Sequence, residues 1–175
     1  LHGWYRRQRQ MCIRDRAAIA GPKSRDMLSK LYPDLDVSND ALPFMGYKEA
    51  EFFGVPSRIF RISFSGELAY EINVKSDHGL FMWEKMMEVG KEFGNQPYGT
   101  EALSTLRIEM GHVAGPELDG RTIPSDVSLN GLVSKKKDFI GKNSLGREAF
   151  NVESRQKIVG LIPIDRKSSI PEGSH

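Results

Sequence analysis

Residues 60–74, FRISFSGELAYEINV, decide how the rest of the chain is read. Even-numbered positions carry Phe60, Ile62 and Phe64, then Leu68, Tyr70, Ile72 and Val74. Odd-numbered positions carry Arg61, Ser63, Ala69, Glu71 and Asn73. Successive side chains on a strand point to opposite faces, so this alternation predicts two short strands with one apolar and one polar face. Ser65-Gly66-Glu67 supplies the turn between them. Glu71 then lies on the polar face in the middle of the second strand. Two roles stay open for it: a solvated charge, or an acceptor pointing into a pocket.

Upstream, PFMGYKEAEFFGVPSRIFRISF (43–64) predicts a strand, a turn at Gly54-Val55-Pro56 and a second strand. AAIAGPKSRDMLSKL (17–31) reads as a strand, a Gly-Pro turn and a helix whose apolar stripe is Met27, Leu28 and Leu31. Downstream, Ser76-Asp77 are good N-cap residues for a helix with Leu80, Trp83, Met86 and Met87 near one face, ended by Gly90 or Gly94. A further helix is expected from about Thr100 to Met110, with Leu103, Leu106 and Met110 on its apolar side. Arg107 leaves that stripe at about 100°. Residues 115–130 are loop-rich, NSLGREAF (143–150) predicts a short helix, and KIVGLIPI (157–164) predicts a strand. Hairpins mixed with helices, without regular β-α-β alternation, make the class α+β.

The chain has 175 residues, 39% of them hydrophobic, with one cysteine, Cys12, and a net charge of +2. A single cysteine excludes an internal disulfide framework and a cysteine-rich zinc site, and fits a reducing, cytoplasmic setting. No run approaches the roughly 20 apolar residues of a membrane span. Residues 1–16, LHGWYRRQRQMCIRDR, hold five arginines against one aspartate and so carry +4, leaving −2 for the remainder. This segment has no clear periodicity and reads as a non-native addition to a truncated gene. The end of the chain, after the strand expected at 157–164, also reads as cut, because a lone terminal strand needs partners. The mildly acidic body and the lack of aromatic residues among basic ones argue against nucleic-acid binding, so Lys135–Lys137 read as a solvated loop or an anion contact. The GKNS stretch at 141–144 lacks the earlier glycine of a phosphate-binding loop, and no dinucleotide fingerprint occurs. The four histidines are isolated in sequence, without metal-ligand spacing to Cys12.

Several separated motifs, in order, carry a resemblance. SGELAYEI (65–72), YGTEAL followed by LRIE and a glycine (98–111), GHVAGPELDGRT (111–122) and VSKKKDFIGK (133–142) resemble the folate-binding, T-protein-like half of heterotetrameric sarcosine oxidase alpha subunits. The wider family includes the aminomethyltransferases of glycine cleavage and dimethylglycine dehydrogenases. The resemblance covers about residues 17–175 and implies the three-lobed T-protein fold. It divides the chain into a folate-binding domain at 17–130, truncated on its N-terminal side, and the start of a C-terminal β-barrel at 131–175.

The resemblance implies an oxidoreductase acting on a CH–NH donor with oxygen as acceptor. Sarcosine is oxidised to an imine elsewhere in the complex, and tetrahydrofolate takes up the one-carbon unit as methylenetetrahydrofolate. FAD, FMN and NAD, and the beta, gamma and delta subunits, belong to the complete enzyme. The glutamate of the family's YEI motif, here Glu71, holds the pterin ring. The chemistry is apt: the ring presents two adjacent donors, and a carboxylate accepts both. Arg107 is a second folate-binding candidate, with an ion pair to Glu101 or Glu109 as its alternative. Aminomethyltransferases place a pterin-contacting arginine one turn earlier, where this chain has Leu103. The family's catalytic aspartate lies upstream, so no catalytic residue is expected here.

Overall fold

The computed structural model describes residues 13–171. The chain divides between Met110 and Gly111 into two compact units, whereas the sequence predicts a boundary at 130/131.

The first unit is built on a four-stranded antiparallel sheet: β1 (Arg14–Ala20), β2 (Tyr47–Phe52), β3 (Val55–Phe60) and β4 (Ala69–Lys75), in the order β1-β4-β3-β2. Helix α1 (Ser24–Leu31) follows β1; α2 (Gly79–Gly90) and α3 (Thr100–Glu109) follow β4. Residues 1–12 of the segment read as non-native lie outside the described residues. Arg14, Asp15 and Arg16 open β1 and pair with Lys75, Val74 and Asn73.

One face of the sheet carries the core. Tyr70, Ile72 and Val74 of β4, Ile59 of β3 and Phe52 of β2 are buried against Met27, Leu28 and Leu31 of α1 and Met82 and Met86 of α2. The α1 stripe is the one its periodicity predicts. Burying each such side chain stabilises the fold by roughly 1.5–3 kcal/mol. Two of the polar groups caught in this layer are tied off in sequence: the Tyr32 hydroxyl meets Ser57 Oγ at 2.9 Å, and Ser57 Oγ donates to the Ala50 carbonyl at 2.8 Å. Burial pushes the Tyr32 phenol well above its ordinary pKa.

The hairpin of residues 60–74 forms differently from the expectation. β3 stops at Phe60, and only Arg58, Ile59 and Phe60 pair with β4, opposite Asn73, Ile72 and Glu71. Residues 61–68 form a loop. An even position therefore pairs with an odd one, and Phe60 shares a face with Glu71 rather than with Tyr70. Alternation counted through a loop does not carry face identity across it. The preceding turn is likewise one residue earlier than expected. Phe53 and Gly54, at φ 49° and 82°, make a two-residue hairpin turn, and Val55 and Pro56 already belong to β3.

The loop at 61–68 is pinned at both ends. The Leu68 carbonyl accepts from Gly21 N–H at 2.9 Å and from Ser24 Oγ at 2.8 Å. Gly66 has φ +88°, and a Cβ there would lie 2.5 Å from Met110 Sδ. Glycine is required on both counts.

Helix α2 is rotated from its expected face. Ser76–His78 form a 3-10 turn, the cap position is His78, and the buried residues are Gly79, Met82, Met86 and Gly90. Leu80 is exposed and Trp83 half-exposed, because the close approach of β1 at Gly79 sets the contact face. On α3 the buried residue is Arg107, while Met110 is exposed toward the Gly66 loop.

The second unit holds short turns, including one α-helical turn, α4 (Lys142–Leu145). The strand expected at 157–164 does not form. Residues 157–163 are irregular, Val159, Leu161, Ile162 and Ile164 are exposed, and no strand lies alongside among the described residues. A barrel start is therefore absent from them. The tie here is electrostatic. Arg155 donates from Nε to Asp126 Oδ1 at 2.9 Å and from Nη2 to Asp126 Oδ2, while Ile158 N–H bonds the Asp126 carbonyl at 2.7 Å. Arg155 holds the Asp126 carboxyl down at about 2. The unfolded value is about 3.9, so this contribution to stability is complete above about pH 4 and is lost as pH falls toward 2. Acid titration of unit-two hydrogen exchange is expected to show that loss, and Arg155→Met to remove the pH dependence.

Candidate functional site

The open face of the sheet, opposite the core, carries a row of four side chains directly across the strands: Ala18 on β1, Glu71 on β4, Phe60 on β3 and Tyr47 on β2. Phe60 and Tyr47 stack, with centroids 5.7 Å apart and planes 24° from parallel. The next row, one pleat along, is Arg16, Asn73, Arg58 and Glu49. Arg58 pairs with Glu49 at 2.7 Å, and Arg16 Nη1 reaches diagonally to Glu71 Oε2 at 3.0 Å.

The Glu71 side chain is only 17% exposed, against 63% for Arg16. Its shielding comes from the flanking strands. Oε1 accepts no described hydrogen bond, so a carboxylate with one engaged and one open oxygen sits beside an aromatic wall. A carboxylate accepts through both oxygens, and with Arg16 swung aside it can take two parallel donors from one planar ligand.

A cavity of about 600 Å³ lies along the free edge of β1. Its walls include Arg16 and Ala18, Glu71's partner and neighbour on β1, together with Trp83, Met86, Tyr98 and Leu103. Glu71 itself does not line this cavity; its β1 neighbours Arg16 and Ala18 do. Leu103 is on the wall; Arg107, one turn on along α3, is buried at 7% exposure and lines neither this cavity nor one of about 490 Å³ in the second unit. The structure does not place Arg107 in the Glu71 row. Four of the acidic and basic groups of the second cavity are already paired, Asp119 with Arg121 and Asp126 with Arg155.

Two members of the Glu71 environment are not legible in the sequence. Arg16 falls in the segment read as non-native, and Phe60 is assigned by parity to the opposite face. The pairing register alone reveals both. Among the described residues no helix is long and apolar enough to cross a membrane.

The family described as the GCVT N-terminal domain matches this chain over residues 12–137. The chain belongs to that family, a folate-related T-protein-like α+β domain. Within it, the chain is 46% identical over 159 residues to the sarcosine oxidase subunit alpha of Corynebacterium sp. (strain P-1), covering 90% of this chain and 16% of that one. It is 35% identical over 146 residues to an aminomethyltransferase of Chloroherpeton thalassium, covering 82% of this chain and 39% of the relative. Mouse mitochondrial dimethylglycine dehydrogenase is 32% identical over 159 residues, covering 89% and 18%. The chain spans about one sixth of the length of the sarcosine oxidase relatives it matches.

Proposed function

We propose that this chain is the folate-holding part of a sarcosine-oxidase-type alpha subunit, with Glu71 as the residue that grips the pterin. The observation that carries the proposal is the Glu71 carboxylate itself: shielded, open at Oε1, flanked by Phe60 and beside two β1 residues, Arg16 and Ala18, that line a cavity. A solvated surface glutamate would be neither so shielded nor set beside an aromatic wall.

Tetrahydrofolate, when bound, supplies nitrogen nucleophiles that take up the one-carbon unit released by oxidation of a secondary amine. The chain's own residues bind and orient. Glu71 accepts the ring N–H and the exocyclic amino group, which fixes the ring's rotation about the carboxylate axis. The Phe60 ring, backed by Tyr47, closes one side of that carboxylate to water. Arg16 neutralises Glu71 while no ligand is held and must give way when donors arrive. Arg107, buried and away from both cavity walls, is left out of the contact set. FAD, FMN and NAD, the beta, gamma and delta subunits, and a cytoplasmic location belong to the complete enzyme as proposed. Identity of 46% with a sarcosine oxidase subunit against 35% with an aminomethyltransferase favours the oxidase over a transferase acting with a lipoyl carrier.

The test is an equilibrium titration of the full chain with tetrahydrofolate and with an analogue lacking the exocyclic amino group. Saturable binding is expected, weakened about 100-fold for the analogue, because a buried acceptor left without its donor loses one charge-assisted bond. Equal affinity for the two compounds, or no binding of either, would overturn the proposal.

A further inference from the structure

On the core side of the same sheet, away from Glu71, two buried polar atoms have no hydrogen-bond partner: the Tyr70 hydroxyl oxygen and Arg61 Nε. They adjoin the end of the β3–β4 ladder: Phe60 pairs with Glu71, Arg61 follows Phe60 and Tyr70 precedes Glu71. Arg61 also acts electrostatically on the Tyr70 phenol. Arg25 of α1 closes the group from the helix layer, its guanidinium carbon 5.8 Å from the centre of the Tyr70 ring.

Both arginines are anchored to neutral oxygens. Arg61 Nη1 donates to the Leu42 carbonyl at 3.1 Å. Arg25 donates to the Val37 carbonyl and, at 2.7 Å, to Asn39 Oδ1. Among the described residues neither guanidinium pairs with a carboxylate. Two partly buried guanidinium groups therefore flank a fully buried hydroxyl, and the unpartnered Arg61 Nε–H and Tyr70 O–H can both donate. A buried donor without an acceptor carries its desolvation penalty uncompensated, and an anion bound there would offset it.

We propose that Arg25, Arg61 and Tyr70 form a buried anion site, which holds one small inorganic anion or one carboxylate. Arg61 Nε–H and the Tyr70 O–H donate to it directly, and Arg25 supplies the second positive charge across the ring. Burial pushes the Tyr70 phenol above its ordinary pKa against the pull of both arginines, so the hydroxyl keeps its proton and remains a donor. The site ties α1, the 37–42 segment and the β3–β4 junction to one point. It is independent of folate binding at Glu71, which lies on the other face.

The experiment is a thermal titration of the full chain with chloride and with acetate against gluconate at constant ionic strength, paired with bromide soaking of crystals. The midpoint is expected to rise saturably with chloride or acetate and not with gluconate, which is too large to enter. An anomalous bromide peak is expected between Tyr70 Oη and Arg61 Nε. Tyr70→Phe and Arg61→Gln each should weaken the anion's effect about tenfold or more, since each removes one bond to a charged acceptor. The whole polypeptide distinguishes the two sources. Lost anion dependence, with Arg61→Gln still destabilising, assigns the site to a carboxylate from another segment, whereas retained dependence assigns it to a free ion. Identical responses to chloride and gluconate, with a water in place of bromide, would overturn the proposal even if the arginine variant failed to fold.

Discussion

Glu71→Gln is expected to weaken tetrahydrofolate binding about 100-fold while leaving the thermal midpoint of the chain nearly unchanged. The carboxylate has two acceptor oxygens and carries a charge; the amide keeps one oxygen and turns an N–H₂ toward a ligand donor. One charge-assisted bond is lost and one donor–donor contact is created, a change of roughly 2–3 kcal/mol, or about two powers of ten in affinity. Stability is spared because Glu71 lies on the open face and its described bond runs to Arg16, a largely exposed partner. The amide oxygen of Gln can still accept from Arg16, so little of that bond's contribution is lost. In a complete enzyme of the proposed sarcosine-oxidase type, the same substitution is expected to let sarcosine oxidation proceed while formaldehyde is released even with folate present. Unchanged folate affinity in an equilibrium titration would remove Glu71 from the site.

Much of the layer that carries the core is legible in the sequence. Met27, Leu28 and Leu31 recur at helical spacing and are buried, and Tyr70, Ile72 and Val74 alternate and are buried. Periodicity reports such positions because a single element samples a single face. What failed depends on relations between elements. Phe60 sits with Glu71 because the chain leaves the ladder at 61–68, and no pattern within one strand can state the register of two. Arg107 is buried although its sequence neighbours form the apolar stripe, since the contact face of a helix is chosen by its partners. Gly79 shows the same for α2: β1 comes so close that a Cβ would lie 1.8 Å from Asp15 Oδ2, and the helix turns Met82 inward in place of Leu80.

The same limit explains the tail. KIVGLIPI has strand composition, yet β-propensity records fitness for a half-buried pleated surface, and no neighbouring strand provides that surface among the described residues. Glu71 was identified through the SGELAYEI motif, while its aromatic wall and its Arg16 partner needed the fold. The motif points to Glu71, and the register supplies the surroundings on which its proposed role rests.

Ile72→Ala, one residue along from Glu71, is expected to have the opposite profile. Ile72 is fully buried on the central strand β4, between Ala17 of β1 and Ile59 of β3 in its row and beneath the two helices. Truncating it removes three methyl or methylene groups and leaves a void that a sheet paired on both sides cannot close. Comparable core substitutions cost about 2–5 kcal/mol. The chain's first unit buries its apolar residues in one layer, so that loss is a large part of the 5–15 kcal/mol typical of a whole domain. Chemical denaturation should show a midpoint shifted strongly downward, with the slope unchanged if the denatured state is not altered. Folate affinity, measured well below the new transition, should stay within about threefold of the parent, because the open face keeps its carboxylate and its aromatic wall. Two adjacent residues of one strand would then separate binding from stability, as strand alternation requires when one face is core and the other is site. A variant in which Ile72→Ala abolished binding at temperatures where the unit remained folded would show that the two faces are coupled, and would contradict the placement of the site on the open face alone.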